Sequence, residues 1–424
     1  MIRRRLHPAL FQRLAAPAAA ALAHGMRMAV NLLVIKFIAV IVGPAGLGLL
    51  GNLMSVATIM TVFAGGGIMN GITKYVAEYH SDLARLTKFL GSATLFGLVA
   101  SAIVMVATLV AARPLASILF GHGGMAWIIP LVGVAHFLCF VGGAVVATVN
   151  GQRRPVDFAI ITVAGYLGAV PVAFGLIRLG GVAGAAVALL AVAASTAIPA
   201  VIIAYRRGLL ALARPRMERG DIRRLLRYTG ISAISAIAFP MTEIIIRTQL
   251  TGHLDIASTG IWQGLTRLSG AIMGFYTVFL ATSHMPRLSA ISDRRQAGAA
   301  VVRALRIVGP TFAGCAALVY LARPIIVPLL FSDAFQPMEK VLGWQLLGDT
   351  LRVCSYVVGF LGIAKAALKI HIIAELTQCG LYLLFTLLAL HAGYGLREVA
   401  QAYALTYGIY FAITLIALRE YVRR

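Results

Sequence analysis

Acidic residues are scarce in this chain. Fourteen Asp and Glu stand against 37 Lys and Arg in 424 residues, and charge of either sign makes up only 12% of the sequence. No carboxylate pair for acid–base chemistry, no Ser-His-Asp set and no metal-ligand cluster is legible, so catalysis is not indicated and no cofactor is expected. Cysteine is sparser still: Cys139, Cys315, Cys354 and Cys379 lie in apolar stretches without CxxC spacing, which reads as packing rather than as ligands or a disulfide framework. Lysine is outnumbered by arginine 6 to 31, so an arginine at any one position is not by itself a sign of phosphate recognition.

What the chain does have is apolar length. It is 60% hydrophobic with a mean hydropathy of +0.90, outside the soluble globular range and typical of a polytopic membrane protein. Runs of membrane length predict twelve helical spans starting near Pro17, Leu47, Phe89, Met125, Val156, Val182, Tyr228, Ser258, Ile307, Val341, Ile370 and Val399. The opening Met1-Ile-Arg-Arg-Arg resembles a signal-peptide start, but Gln12 and Arg13 interrupt any apolar region, and a basic cytoplasmic tail is the better reading.

The net charge of +23 would suit nucleic acid, yet the basic residues alternate with the spans, as in inner-membrane proteins, and no nucleic-acid partner is expected. With the N-terminus inside, 27 of the 37 basic residues fall on the tails and even-numbered turns, and only Arg113, Arg178, Arg323, Lys340 and Arg397 fall opposite. This bias predicts both termini in the cytoplasm.

The most basic extramembrane stretch, Arg206 to Arg227, divides the chain near its midpoint. It predicts an N-terminal lobe over 1–205, a cytoplasmic linker over 206–227 and a C-terminal lobe over 228–424. Ala112-Arg-Pro-Leu-Ala-Ser-Ile-Leu-Phe120 returns as Ala322-Arg-Pro-Ile-Ile-Val-Pro-Leu-Leu-Phe331, each time between the third and fourth span of its half. Gly48 and Asn52 meet Gly260 and Gly264 more weakly. Six spans per half make these parallel repeats, with a binding site expected between them.

Charge inside a span has to be explained, since an isolated arginine there costs at least about 2.5 kcal/mol. The segment from Trp344 to His371 carries Asp349 and Arg352, roughly 12 and 16 Å into a layer about 30 Å thick. They are i,i+3 neighbours, either a self-neutralising pair or one wall of a substrate pathway. Glu243 and Arg247, i,i+4 after Pro240, pose the same choice. Arg267 has no acid within four residues and needs a distant partner or an anion. Arg27 and Asn31 share a face of the first span; Lys36 sits about 140° round from Asn31 and either joins the pathway or snorkels. Five in-span bases against Glu243 and Asp349 leave an excess of positive charge, which favours a phosphate or diphosphate over a cation. Ala64-Gly-Gly-Gly67 is no phosphate loop, and marks close packing, a kink or a hinge. The lone helix histidines His136, His284 and His371 read as packed or interfacial rather than as proton relays.

Val42-Gly-Pro-Ala-Gly-Leu-Gly-Leu-Leu50, Ala64-Gly-Gly-Gly-Ile-Met-Asn-Gly-Ile-Thr-Lys-Tyr-Val-Ala-Glu-Tyr79 and Gly260-Ile-Trp-Gln-Gly264 resemble the Wzx-type lipid-linked oligosaccharide flippases, nearest to the enterobacterial common antigen branch. The likeness covers essentially the whole chain. It implies the multidrug/oligosaccharidyl-lipid/polysaccharide exporter fold, an all-α membrane protein with about twelve transmembrane helices in two six-helix lobes forming a V. It also implies an inner-membrane flippase whose partner is a polyprenyl-diphosphate-linked glycan among membrane lipids, with a polysaccharide polymerase and a chain-length regulator as further partners. Related flippases keep basic residues in a central cavity. By position the candidates here are Arg27 and Lys36, Arg267, and Asp349 with Arg352, beside Asn31 and Arg247 from the residue reading. A multidrug antiporter of the same superfamily and a non-transporting scaffold for polysaccharide assembly are the rival readings.

Overall fold

The computed structural model describes residues 8–121, 123–365 and 367–423; the basic start at residues 1–7 lies outside the described residues. The described chain is helical throughout and divides into two compact units, Met1–Phe37 with Leu53–Ala236 and Ile38–Asn52 with Ile237–Arg424.

The first unit takes most of α1 (Pro8–Ile41) and the second half of α2 (Gly43–Phe63), then α3 (Met69–Glu78), α4 (Leu83–Val110), α5 (Ala112–Phe120), α6 (Ile128–Gly151), α7 (Pro155–Ala194), α8 (Ala197–Arg206), α9 (Leu209–Leu212) and the start of α10 (Arg219–His253). Its hub is α6, which packs against α3, α4, α7 and α8. Apolar burial drives helix association weakly in lipid, so close packing and hydrogen bonds between helices carry more of the load. Ile72, Phe89, Phe140 and Ala147 fill the core. Ser101 Oγ donates to the Ala64 carbonyl at 2.8 Å, and Thr73 Oγ1 to that of Ala147 at 3.2 Å. His136 is buried, its ring nitrogens 2.6 and 2.8 Å from the Val132 and Ala57 carbonyls, which fits a packed histidine. The triple glycine is a turn: Gly65, at φ +103°, ends α2 and starts a 3-10 turn leading into α3.

Polar pairs in this unit sit at helix ends. Arg85 and Arg224 meet Asp221 at 2.5 and 3.8 Å, and Arg207 and Arg154 meet Asp157 at 2.8 and 3.9 Å. Together with a bond from Arg216 N to the Gly91 carbonyl, these pin the basic stretch 206–227 onto the first unit.

The second unit continues α10 and adds α11 (Ile256–Phe279), a π turn over Leu280–His284, α12 (Met285–Ala290), α13 (Arg294–Leu321), α14 (Arg323–Leu330), α15 (Met338–Ala364), α16 (Leu368–His391) and α17 (Leu396–Arg423). Its hub, α15, packs against α11, α13, α16 and α17. The two sequence copies at 112–120 and 322–331 become α5 and α14. Each follows a 28-residue helix and precedes a 3-10 turn and then the hub helix of its unit. The weaker pairing also has a structural meaning: a Cβ on Gly48 would stand 2.6 Å from the Ile256 carbonyl and 2.9 Å from the Gly260 nitrogen, so the two glycines let α2 and α11 cross backbone to backbone.

Ten segments among the described residues are long and apolar enough to cross a membrane. One of them, Pro155–Arg206, runs for 52 residues and breaks at Gly181, giving two of the predicted spans. The seventh predicted span lies on α10, a helix of 35 residues whose first turns are arginine-rich. Eleven of the twelve predicted starts fall on α-helices, and Met125 falls on the 3-10 turn just before α6.

Candidate functional site

Buried mid-span charge collects in the second unit, in two groups. The first surrounds Arg247, which is 1% exposed. Its Nε donates to Gln263 Oε1 at 3.0 Å, its Nη1 to Asn52 Oδ1 at 2.7 Å, its Nη2 lies 3.7 Å from Glu243, and its guanidinium covers the Trp262 ring at 5.5 Å. The i,i+4 pair with Glu243 therefore exists, and two amide oxygens complete it. A buried arginine held on these sides ties the α2 segment of this unit to α10 and α11, and it is engaged rather than available.

Arg267 differs. One turn beyond Gln263 on the same helix, it makes no hydrogen bond or ion pair among the described residues, and its Nε is buried without a partner. Glu243 is the acid near enough to act on it electrostatically.

The second group is built on one face of α15. Gln345, Asp349, Arg352 and Tyr356 recur at spacings of 4, 3 and 4, which stacks them along the helix. Asp349 is fully buried. Ser269 Oγ of α11 lies 2.6 Å from both its oxygens, Tyr403 of α17 donates to Oδ1 at 2.7 Å, and Gln345 Nε2 approaches at 3.4 Å. Arg352 does not pair with it directly. Its Nη1 donates to the Tyr403 hydroxyl at 3.2 Å and its Nε to that of Tyr356 at 3.0 Å, while Phe239, Tyr407 and Tyr356 present ring faces at 4.3, 5.0 and 5.4 Å. Tyr403 thus accepts from the guanidinium and donates to the carboxylate, a relay in place of the i,i+3 ion pair. Hydrogen-bonded and cation–π partners of this kind are what let a charge stay desolvated.

The charge count needs one correction. Glu375 lies beyond the predicted start of the eleventh span at Ile370, accepting from Gln378 Nε2 at 2.7 Å, so on the predicted spans it joins Glu243 and Asp349. The positive excess survives, reduced by one.

The remaining candidates lie on α1 in the first unit. Arg27 and Asn31 are exposed on a shared face, with Arg27 Nη2 3.4 Å from His24 Nδ1, and Lys36 is half-buried on another bearing. Seven candidates thus separate into an α1 group in one unit and Arg247, Arg267, Asp349 and Arg352 in the other. Sequence reasoning missed Tyr403, Tyr356, Ser269, Gln345 and Gln263. One signal was present: Tyr403, Tyr407 and Tyr410 form an i,i+4,i+7 stripe on α17, an unusual density of hydroxyl-bearing rings on a span.

Residues 18–292 match the polysaccharide biosynthesis protein family. The lipid III flippase of Escherichia coli (strain K12) is 34% identical over 392 residues, covering 92% of this chain and 94% of that protein. Among solved structures, an inward-facing multidrug resistance MATE family transporter of the MOP superfamily superposes with a TM-score of 0.75 at 14% identity, over 95% of this chain and 99% of that one. The lipid II flippase MurJ in an inward closed conformation gives 0.69 at 13%, over 96% and 87%. At these identities the two structures speak for the fold, an all-α polytopic membrane architecture.

Proposed function

The chain belongs to the polysaccharide biosynthesis protein family, and from that premise we propose that it is a flippase. It moves an undecaprenyl-diphosphate-linked oligosaccharide, lipid III of enterobacterial common antigen, from the cytoplasmic to the periplasmic leaflet of the bacterial inner membrane by alternating access. Whole-length identity to a lipid III flippase supports the substrate class. The observation within the molecule that carries the reading is Arg267. A buried guanidinium nitrogen left without a partner costs about 1–3 kcal/mol, a cost that an anionic ligand can offset. A diphosphate suits it, because the planar fork binds two oxygens at once. Arg247 and Arg352 already have their partners and serve to hold the frame; Arg27 and Asn31, exposed on α1, are separate candidates within the first unit. For transport the diphosphate must bind the two access states differently, since a ligand shifts an equilibrium only by its differential affinity.

The deciding experiment is Arg267→Ala in a strain lacking the chromosomal copy. Flipping, read as periplasmic glycan assembly, should be lost while protein abundance and Tm stay near wild type, and Arg267→Lys should restore part of it. Normal flipping in Arg267→Ala removes this residue from the site. Orientation belongs to the same proposal, with termini and the 206–227 stretch cytoplasmic and the 323–340 stretch periplasmic. Cysteines placed in the two stretches should label oppositely with a membrane-impermeant thiol reagent, and labelling of 206–227 from outside intact spheroplasts overturns it. A polymerase and a chain-length regulator, which would use the flipped glycan, are the proposed protein partners, to be sought by crosslinking.

A further inference from the structure

A cavity of about 460 Å³ lies within the second unit, where α11 passes through the π turn into α12 and faces α13. Its wall is apolar, with Phe279, Leu288, Ile307 and Val308 around small alanines of α13. Two arginines, Arg287 and Arg303, line it as well; both are exposed, and neither has a hydrogen bond or ion pair among the described residues. No acid lines the cavity. The nearest one in sequence, Asp293, caps α13 by accepting from Gln296 N at 2.7 Å and forms no ion pair with either arginine among the described residues. The π turn puts Ser283 and His284 on the wall, with His284 Nε2 directed to the Val357 carbonyl at 3.3 Å. π turns inside helices are rare and recur at functional sites.

We propose that this cavity binds an anionic phospholipid, with its phosphate between Arg287 and Arg303 and its first methylenes on Phe279 and Ile307. Charge complementarity selects the headgroup: two unpaired guanidiniums and no carboxylate suit a phosphate. Position selects the lipid. Phe279 and Ile307 are exposed on segments of membrane length, and the arginine-rich α12–α13 end is the end the charge bias assigns to the cytoplasm, where basic pockets between spans take anionic headgroups. Size argues against the transported lipid, because a volume toward the lower end of the roughly 300–1,000 Å³ of small-ligand sites holds a phosphate and the start of a chain but no oligosaccharide. The site uses none of the buried charges assigned to transport and does not rest on the flippase reading.

Native mass spectrometry of the full-length purified protein tests this. Phosphatidylglycerol titrated into delipidated protein should bind at least 10-fold more tightly than phosphatidylethanolamine and raise Tm. Arg287→Gln with Arg303→Gln should bring the two lipids to near parity, the double lysine variant should keep most of the preference, and Ile307→Trp should block binding with both arginines in place. If the glutamine variant misfolds, Ile307→Trp and the lysine variant still decide. An unchanged preference in the glutamine or tryptophan variant overturns the proposal, as does equal binding of phosphatidylethanolamine by wild type. So does displacement of phosphatidylglycerol by one equivalent of undecaprenyl diphosphate, or an equal rise in Tm with inorganic phosphate alone.

Discussion

The two units handle charge in opposite ways. The first keeps its ion pairs at helix ends, with Arg85–Asp221 and Arg207–Asp157 anchoring the basic stretch 206–227, and its hub α6 is held by side chain to carbonyl hydrogen bonds such as that of His136. The second carries Arg247, Asp349 and Arg352 into its interior and surrounds its hub α15 with tyrosines. Both units share the order of long helix, short helix, 3-10 turn and hub, so backbone architecture does not require buried charge at mid-span. The difference separates what the fold needs from what has been added to it. Charge at helix ends serves orientation and assembly. Charge at mid-span has a standing cost, and such residues mark substrate pathways far more often than scaffolding.

The contrast predicts a gradient of effects. The largest belongs to Asp349→Ala, which strands Ser269 and Tyr403 and leaves Arg352 without its relayed counter-charge. Breaking a buried pair from one side costs about 3–5 kcal/mol, so a steep fall in Tm and in membrane abundance is expected. Asp349→Asn with Arg352→Gln should recover much of that stability, and transport by this double variant then tells whether the pair works or only holds the fold. An intermediate effect, about 1–3 kcal/mol, is expected from Tyr403→Phe, which removes one hydroxyl and breaks both relay bonds while keeping the ring contacts with Tyr382 and Tyr407. If Tyr403→Phe melts like wild type, Asp349 and Arg352 are stabilised independently and the relay is incidental.

In the first unit, Arg85→Ala should cost about 1–3 kcal/mol, less than Asp349→Ala, since Asp221 is buried but Arg224 remains 3.8 Å from it. A loss comparable to that of Asp349→Ala would erase the contrast between the units.

The smallest effect is electrostatic. Asp255 caps α11, accepting from the Ser258 backbone N–H at 2.7 Å and from its hydroxyl at 2.9 Å, which holds its carboxyl below the usual carboxylate range. A lowered pKa contributes stability that is present above the unfolded value, near 3.9, and is lost as pH falls through the folded one. Asparagine caps as well but carries no charge. The Tm difference between wild type and Asp255→Asn should therefore be constant above about pH 5 and shrink below about pH 4. A difference unchanged down to pH 3 would mean that the charge contributes nothing.

Much of this was legible from residue order. Spans are set by bilayer thickness, so apolar length located the helices even where Gly181 divides a 52-residue segment. Arg267 stood out because a helix offers partners only at i±3 and i±4, and none there is acidic. The Tyr403 relay was not legible, because it joins α15 to α17 across 54 positions, and a tyrosine in a span reads equally well as core or interface. Glu375 was overlooked because one acid near the start of a span looks like a loop residue until the helix is drawn.

By itself, then, the sequence determined the membrane class, the placement of the long apolar helices, the internal repeat and the family, all of which follow from local hydropathy, charge order or whole-length similarity. The tertiary structure alone decided which charges are satisfied. Pairing between helices depends on crossing points such as Gly48 on Gly260 and on which face of each hub turns inward, and those are settled by packing over the whole unit. Arg247 and Arg352 turned out to be partnered, and Arg267 without a partner among the described residues, for that reason, although all three are arginines in apolar helices.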